Sequence, residues 1–468
     1  DSLINFSIVL NNFIYYKYFH INIKYKQFFI FTSLYKILYS FINGIIIMKP
    51  KKNSKIFVQI ASYRDPQLIP TIKNMLENAK NPKNITIGIA RQFNPDDKFD
   101  DLSEYENDDR FRILNIPYQE AEGVCWARHL VQQLYKDEAY TLQIDSHMRF
   151  APDWDEEMIN MVKQLQKKGH KKPLLTGYVS SFDPDNDPAG RIQEPWRMAF
   201  DRFIPEGAVF FLPETIPNWR EMTEPVPARF YSAHYCFTLG QFSKEVQHNP
   251  HYYFHGEEIS ISARAYTCGY DLFHSHKVLI WHEYTRKGRT KQWDDDKEWV
   301  RRNNQAHLLN RKLFGMDGEV QEGHDGPYGF GSVRTLKDYE KYAGLIFEKR
   351  AIQQYTLDKH YPPNPQEFES EEKWLESFAS IFKHCIDVNY GSVPEKDYDF
   401  WVVAFHNEQD ETIYRKDADK SEINQMMNDP DGYCKVWREF QTAHKPKYWV
   451  VWPHSESKGW CERITGNL

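Results

Sequence analysis

The chain has 468 residues, 59 Lys and Arg against 66 Asp and Glu, and a formal net charge of -7. That length can bury a large core and suits about two domains, while the acidic balance argues against a general nucleic-acid binder. Aromatics make up 16% of the residues, with 13 Trp and 29 Tyr, which fits either a well-filled core or surfaces that stack on flat ligands. The six cysteines (Cys125, Cys236, Cys268, Cys385, Cys434, Cys461) are scattered without a C-x-x-C pair, so neither a disulfide framework nor a thiolate zinc site is expected.

Residues 1–47 differ in composition from the rest of the chain, being dominated by Ile, Phe, Tyr, Asn and Lys, with Asp1 their single acid. Gln27–Met48 is an apolar stretch flanked by lysines and long enough for a membrane span or anchor. Lys36 near its middle opposes that reading, at roughly 2.5–3.5 kcal/mol on an insertion scale. Because the sequence does not open on Met, Met48 is expected as a start and residues 1–47 as a non-core extension, with a membrane anchor as the alternative.

From Lys55 the pattern becomes regular. Ile56–Tyr63 reads as a strand, Leu68–Ala79 repeats its apolar residues at helical spacing, and Ile85–Ala90 and Phe111–Ile116 are two further strands. Gly123–Tyr135 reads as a helix carrying Arg128, and Tyr140–Ile144 as a fourth, buried strand. Alternating strands and helices predict an α/β fold with a mostly parallel, Rossmann-like sheet and right-handed crossovers. No G-x-G-x-x-G or G-x-x-x-x-G-K-[ST] is present, which weighs against a dinucleotide dehydrogenase or a P-loop kinase.

The fourth strand ends in Asp145-Ser146-His147, at the carboxyl edge where open α/β sheets bind ligands. A carboxylate and an imidazole two residues apart point the same way from extended backbone and can share a divalent cation. The same triplet also serves as a plain polar strand terminus. Asp153–Lys168 is an expected helix and Leu174–Val179 a strand, whereas 182–230 reads as loop-rich with a strand at Val209–Leu212. Phe230–Leu239 is expected to be buried. In His255–Cys268 a glycine and two acids, Glu257 and Glu258, open a helix, where they also suit the positive end of its dipole. Two short strands then end at His282, followed by Arg286, Lys287 and Arg289. A metal on Asp145, His147 and His282 beside Arg286 and Lys287 describes a diphosphate site, and O/N donors suit Mn²⁺ or Mg²⁺.

Beyond a charged helix (Asp294–Leu313), a Gly-rich loop (323–331) and Arg334–Phe347, residues 351–397 read as a linker. Residues 398–468 read as a small β-rich C-terminal domain. Its tryptophans, including Trp401, Trp449, Trp452 and Trp460, are expected mainly in its core, with an exposed binding role as the alternative.

The series IFVQIASYRDPQL, GVCWARHLVQ, LQIDSHMRFAPDWD, HGEEISISARAYTCGYDLF, IWHEYTR and FGSVRTLKDYEKYAGLIF resembles the GT-A glycosyltransferases that move N-acetylglucosamine from UDP-GlcNAc to a polypeptide. Among them it is similar to the cytoplasmic group that modifies hydroxyproline on a ubiquitin-ligase adaptor subunit, and to bacterial relatives. The D-S-H triplet is also similar to that of the polypeptide N-acetylgalactosaminyltransferases. The resemblance spans about residues 55–350. It implies a metal (Mn²⁺ or Mg²⁺) on Asp145, His147 and His282, and donor contacts from Ala61, Ser62, Arg64, Arg128, Asp145 and Arg286. Glu257 and Glu258 are implied beside the donor sugar and the acceptor, without a covalent nucleophile, although the reaction retains anomeric configuration. The implied partners are a UDP-sugar and a polypeptide or glycan acceptor, with UDP-GalNAc as the alternative donor. A non-catalytic scaffold that binds sugar nucleotide is the reading from a different class. The implied location is cytoplasmic, or membrane-anchored if 27–48 is an anchor.

Overall fold

The computed structural model describes residues 54–319, 326–427 and 432–468. The apolar stretch 27–48, on which the anchor reading turns, lies outside the described residues. Among those described, no helix is long and apolar enough to cross a membrane.

The chain enters through strand β1 (Ile56–Tyr63), helix α1 (Leu68–Asn78) and strands β2 (Ile85–Phe93) and β3 (Phe111–Pro117). Helix α2 (Val124–Gln132), strand β4 (Tyr140–Asp145), the short β5 (Met148–Phe150) and helix α3 (Trp154–Lys167) come after them. Next are β6 (Lys172–Thr176), β7 (Trp196–Phe203), β8 (Val209–Thr215), β9 (Val226–Pro227) and β10 (Tyr235–Leu239). Helix α4 (Glu257–Thr267), β11 (Tyr270–His274) and β12 (Ile280–His282) complete the part that carries the site.

Eight of these strands form one sheet in the order β3-β2-β1-β4-β10-β6-β11-β9. β1 to β4 are mutually parallel, β6 and β11 pair parallel, and β10 runs antiparallel to both β4 and β6. The result is the expected α/β organisation: a Rossmann-like, mostly parallel sheet with D-x-H at its edge, plus a β-rich C-terminal region. The continuous apolar runs exist because these strands are covered on both faces: Phe57, Val58, Ile60, Ile87, Ile89, Leu142 and Ile144 are all fully buried. Pairing of Ala61 with Asp145 ends β4 two residues short of the end of β1, so both deliver their next residues to the same edge.

Two elements were not expected. β7 pairs antiparallel with β8 as a hairpin in the segment read as loop-rich. The charged helix is also divided, into Gln292–Asp295 and Trp299–Phe314, beside Asp295, which accepts bonds from Tyr63 Oη at 2.8 Å and Arg64 Nη1 at 2.9 Å.

Residues 351–397, expected as a linker, instead carry the strand Ala351–Gln353 and the twelve-residue strand Phe378–Asn389. The longer strand pairs along its length with Tyr433–Thr442. Its Ile386 and Val388 turn into the core while Asp387 and Asn389 face out, a period-two pattern of a half-buried strand. A second sheet, built on Tyr398–His406 and Tyr448–Ser455, shares that core, in which Trp401, Val403, Phe405 and Val451 are fully buried.

Candidate active site

The small β5–β12 sheet brings the sequence-distant His282 to the D-S-H triplet. His282 pairs with Met148, and the Glu283 amide donates to the His147 carbonyl at 3.1 Å. The two Nε2 atoms stand 3.1 Å apart; Asp145 Oδ2 lies 3.3 Å from His282 Nε2 and 3.6 Å from that of His147. One donor atom from each residue thus falls within a 4.8 Å group. Burial pushes the His282 imidazole down to about 4, against the pull of Asp145. Burial alone would raise the Asp145 carboxyl, but Arg128 and the two histidines hold it well below the usual range. A neutral imidazole and a carboxylate are the forms in which these residues ligate metals, so this donor set fits a divalent cation with mixed O/N preference.

A further carboxylate stands behind the triplet. Asp65 Oδ2 lies 2.7 Å from His147 Nδ1, accepts from Ser146 Oγ at 2.7 Å and from Arg289 Nη1 at 3.1 Å, and its Oδ1 accepts from the Gln67 amide at 2.8 Å. Arg289 Nη1 meets the same nitrogen; with Nδ1–H donating to the Asp65 carboxylate, Nε2 is left free to ligate. Burial would raise Asp65, yet His147 and Arg289 hold it below the ordinary carboxylate range.

Arg128 joins the site to α4. Its Nη2 donates to Asp145 Oδ1 at 2.6 Å, and its Nη1 donates to both oxygens of Glu257 at 2.8 and 2.7 Å. Gly123 permits this, since at φ +127° it brings α2 so close to Tyr253 that an added Cβ would lie 2.9 Å from backbone there. Glu257 is also 2.7 Å from His248 Nδ1. Cys125, His248 and Glu257 form a second group of metal-ligand type, but it does not fit an ion: Arg128 already neutralises Glu257, and burial with the Glu257 charge keeps the Cys125 thiol protonated.

The two adjacent glutamates therefore differ. Glu257 is locked in a buried ion pair, whereas Glu258 has no cation paired with it among the described residues; its Oε1 accepts from the Ala233 amide at 3.0 Å and its Oε2 from Tyr178 Oη at 3.2 Å. Burial raises its carboxyl to about 7, opposed by the Ala233 amide and reinforced by the Glu257 charge.

A cavity of about 630 Å³ opens over these groups, lined by Ala61, Arg128, Asp145, His147, Glu257, Glu258, His282 and Arg286. It is an adequate volume for a nucleotide-sized ligand. Arg286 lies over the Trp293 ring at 5.4 Å. Of the first-strand residues expected here, only Ala61 lines the cavity. Strand alternation puts Tyr63 on its wall with Ala61, and Asp65, beyond the strand and after Arg64 at a left-handed φ of 46°, also lines it, while Ser62 is buried outside the lining and Arg64 is paired with Asp97 at 2.7 Å. Lys287 is engaged on the surface by Asp185 at 2.9 Å; Arg289, like Arg286, lines the cavity.

Sequence reasoning passed over Asp65, Tyr178, His234, His248 and Tyr284. His234 stacks on His282, with ring centroids 4.5 Å apart, but its apolar neighbours Tyr231–Leu239 gave it the look of core. Asp65 had a usable signal, as an acid just beyond the end of β1 at the carboxyl edge of the sheet.

The model of the Glycosyltransferase (GlcNAc) family matches residues 55–109 and 96–349, well over half of the chain, and the chain belongs to that family. No curated protein matches it. Among solved structures it is similar to GalNAc-T7 with UDP, GalNAc and Mn²⁺, at 11% identity over 88% of this chain and 69% of that one, with a TM-score of 0.46. It is also similar to S. aureus TarS 1-349 in complex with UDP-GlcNAc, at 11% identity over 55% of this chain and 67% of that one, with a TM-score of 0.35.

Proposed function

We propose that this glycosyltransferase moves N-acetylglucosamine from UDP-GlcNAc, with retention of configuration, to a hydroxyl of a polypeptide, hydroxyproline being the acceptor that the sequence resemblance points to. The observation that carries the reading is the convergence of Asp145, His147 and His282 beneath a nucleotide-sized cavity at the carboxyl edge of β4. A divalent cation held by those three residues would supply Lewis-acid neutralisation of the donor diphosphate.

The chain's own residues do the rest. Arg286, at the cavity wall, lies where it can take up charge on the departing UDP. Arg128 acts through others, tying Asp145 to Glu257 so that the ligand carboxylate and the head of α4 keep one geometry. Glu258 is the carboxyl free to bind: near neutral pH it either accepts from or donates to a sugar or acceptor hydroxyl. Glu257, saturated by Arg128, is assigned no chemical step. The six cysteines are free thiols, which suits a cytoplasmic reaction.

The test is UDP release with UDP-GlcNAc, UDP-GalNAc and UDP-glucose, with Mn²⁺ and after chelation, using hydroxyproline and proline versions of one peptide and a free glycan as acceptors. Chelator-sensitive turnover with UDP-GlcNAc and the hydroxyproline peptide is expected. Preference for another donor, or turnover that survives chelation, would overturn the donor or the metal part respectively.

A further inference from the structure

The C-terminal sheet has an outer face unlike its inner one. In Tyr398–His406, Trp401, Val403 and Phe405 turn into the core, which leaves Phe400 on the opposite side. Phe400 pairs with His454, Val402 with Trp452, and His454 with Trp460 across three neighbouring strands. The four rings form one cluster. Trp452 and Trp460 have centroids 4.3 Å apart, Phe400 and His454 are stacked at 5.1 Å, and Trp460 meets Phe400 at 5.5 Å and His454 at 5.1 Å edge-on. Even so, Trp460 is 50% exposed and Trp452 36%.

We propose that this face is a second binding site, separate from the transfer site, that takes a neutral oligosaccharide on the Trp452–Trp460 platform. Three observations select that class of ligand. First, the rings are braced against one another, and Trp452 Nε1 already donates to the Cys461 carbonyl at 3.0 Å. What is offered is therefore apolar ring surface held in place, which lowers the entropy cost of stacking a flat ligand face.

Second, the rim presents acceptors. Asp399 holds His454 Nδ1 at 2.7 and 2.9 Å, and Asp397 takes Ser455 Oγ at 2.7 Å and the Ser457 amide at 2.8 Å. Two of the nearby lysines are spent on other acids, Lys420 on Glu456 and Lys458 on Glu395, and exposed Lys396 lies between Glu395 and Asp397 in the chain. A rim in which carboxylates outnumber the cations left to meet a ligand disfavours phosphate and sulfate and welcomes hydroxyl donors. Nucleic acid and anionic glycans are thereby disfavoured. Third, the platform is small. Rings that bury at most about 250 Å² each, and are already half covered or more, leave far less than the about 800 Å² per partner of a standard protein interface.

The experiment uses the full chain with chitohexaose, cellohexaose and maltohexaose as probes, read by tryptophan fluorescence and calorimetry, with a heparin hexasaccharide as the anionic comparison. At least one neutral probe should bind. Its affinity should fall about tenfold or more in Trp452→Ala and in Trp460→Ala, recover in Trp460→Phe, and stay unchanged in Trp437→Ala, a 57% exposed tryptophan on the neighbouring sheet. UDP binding should be the same in all variants, so failure of the donor reading and failure of this one are told apart. The proposal is overturned if no neutral probe binds at millimolar concentration, if binding survives the double Trp452→Ala, Trp460→Ala variant, or if heparin is preferred. Self-association lost in the two variants, without glycan binding, would assign the face to a second copy and overturn it as well.

Discussion

Replacing Asp65 by Asn keeps the side chain's size and removes its charge. In the native protein both carboxylate oxygens accept: Oδ1 from the Gln67 amide at 2.8 Å, and Oδ2 from Ser146 Oγ and Arg289 Nη1 while it lies 2.7 Å from His147 Nδ1. An amide must turn its NH₂ toward one of these groups, so at least one donor meets another donor. If the NH₂ faces His147, the ring loses the partner that fixes its tautomer. Loss of such a partner behind a metal ligand typically weakens metal affinity 10–100-fold, or about 1.4–2.7 kcal/mol. Calorimetric titration of Mn²⁺ into metal-free wild type and Asp65→Asn measures this without recourse to turnover. The charge also contributes to folding. Asp65 is held below its unfolded value, so its contribution is present above about pH 3.9 and is lost as pH falls through the native value. The stability gap between the two proteins, read by urea unfolding, should therefore shrink in acid. Equal Mn²⁺ affinity in a folded Asp65→Asn would refute the assignment of Asp65 as the group that orients His147.

His282→Ala should abolish Mn²⁺ binding, because it removes one of three converging donors, while leaving the fold intact by circular dichroism. Glu258→Gln tests the raised carboxyl: with a native value of about 7 against an ordinary value of 4.5, the folded state prefers the proton, so ionisation removes stability as pH rises from 4.5 through 7. The Gln variant should be more stable than wild type at pH 8 but not at pH 4, and if the carboxylate serves the acceptor hydroxyl, the rise of activity through about pH 7 should vanish in it. Gly123→Ala forces a Cβ to 2.9 Å from the Tyr253 backbone at a φ of +127°, a strain of order 1–3 kcal/mol. It should lower the unfolding temperature and shift Arg128, seen as weaker UDP binding.

What could be read from the sequence depended on whether local pattern or distant pairing decides a residue's place. β1, β2 and β4 were legible because strands buried on both faces leave uninterrupted apolar runs. β7 was not, because WRMAFDRF interleaves charges that are satisfied across the hairpin, Arg197 by Glu214 at 2.9 Å. Phe378–Asn389 likewise hid behind Lys383 and Asp387, which face outward, and behind His384, a polar residue on the inner side that packs against Phe382 and Phe405. Asp145, His147 and His282 stood out as polar residues ending apolar runs, and the β5–β12 pairing brings them together as that pattern implied.

Along β1 the period of two turns Ala61 and Tyr63 to the cavity and Ser62 away from it, and beyond the strand Arg64, at a left-handed φ of 46°, pairs with Asp97 while Asp65 lines the cavity. The adjacent glutamates show where local reading ends. Glu257 and Glu258 are chemically identical and share the first turn of α4, yet Arg128, 129 positions before Glu257, makes one a structural anion and leaves the other as the titratable group of the cavity. Identity and spacing mark such residues as candidates for chemistry. Their roles are set by which of them already has a partner, and that is a property of the folded chain.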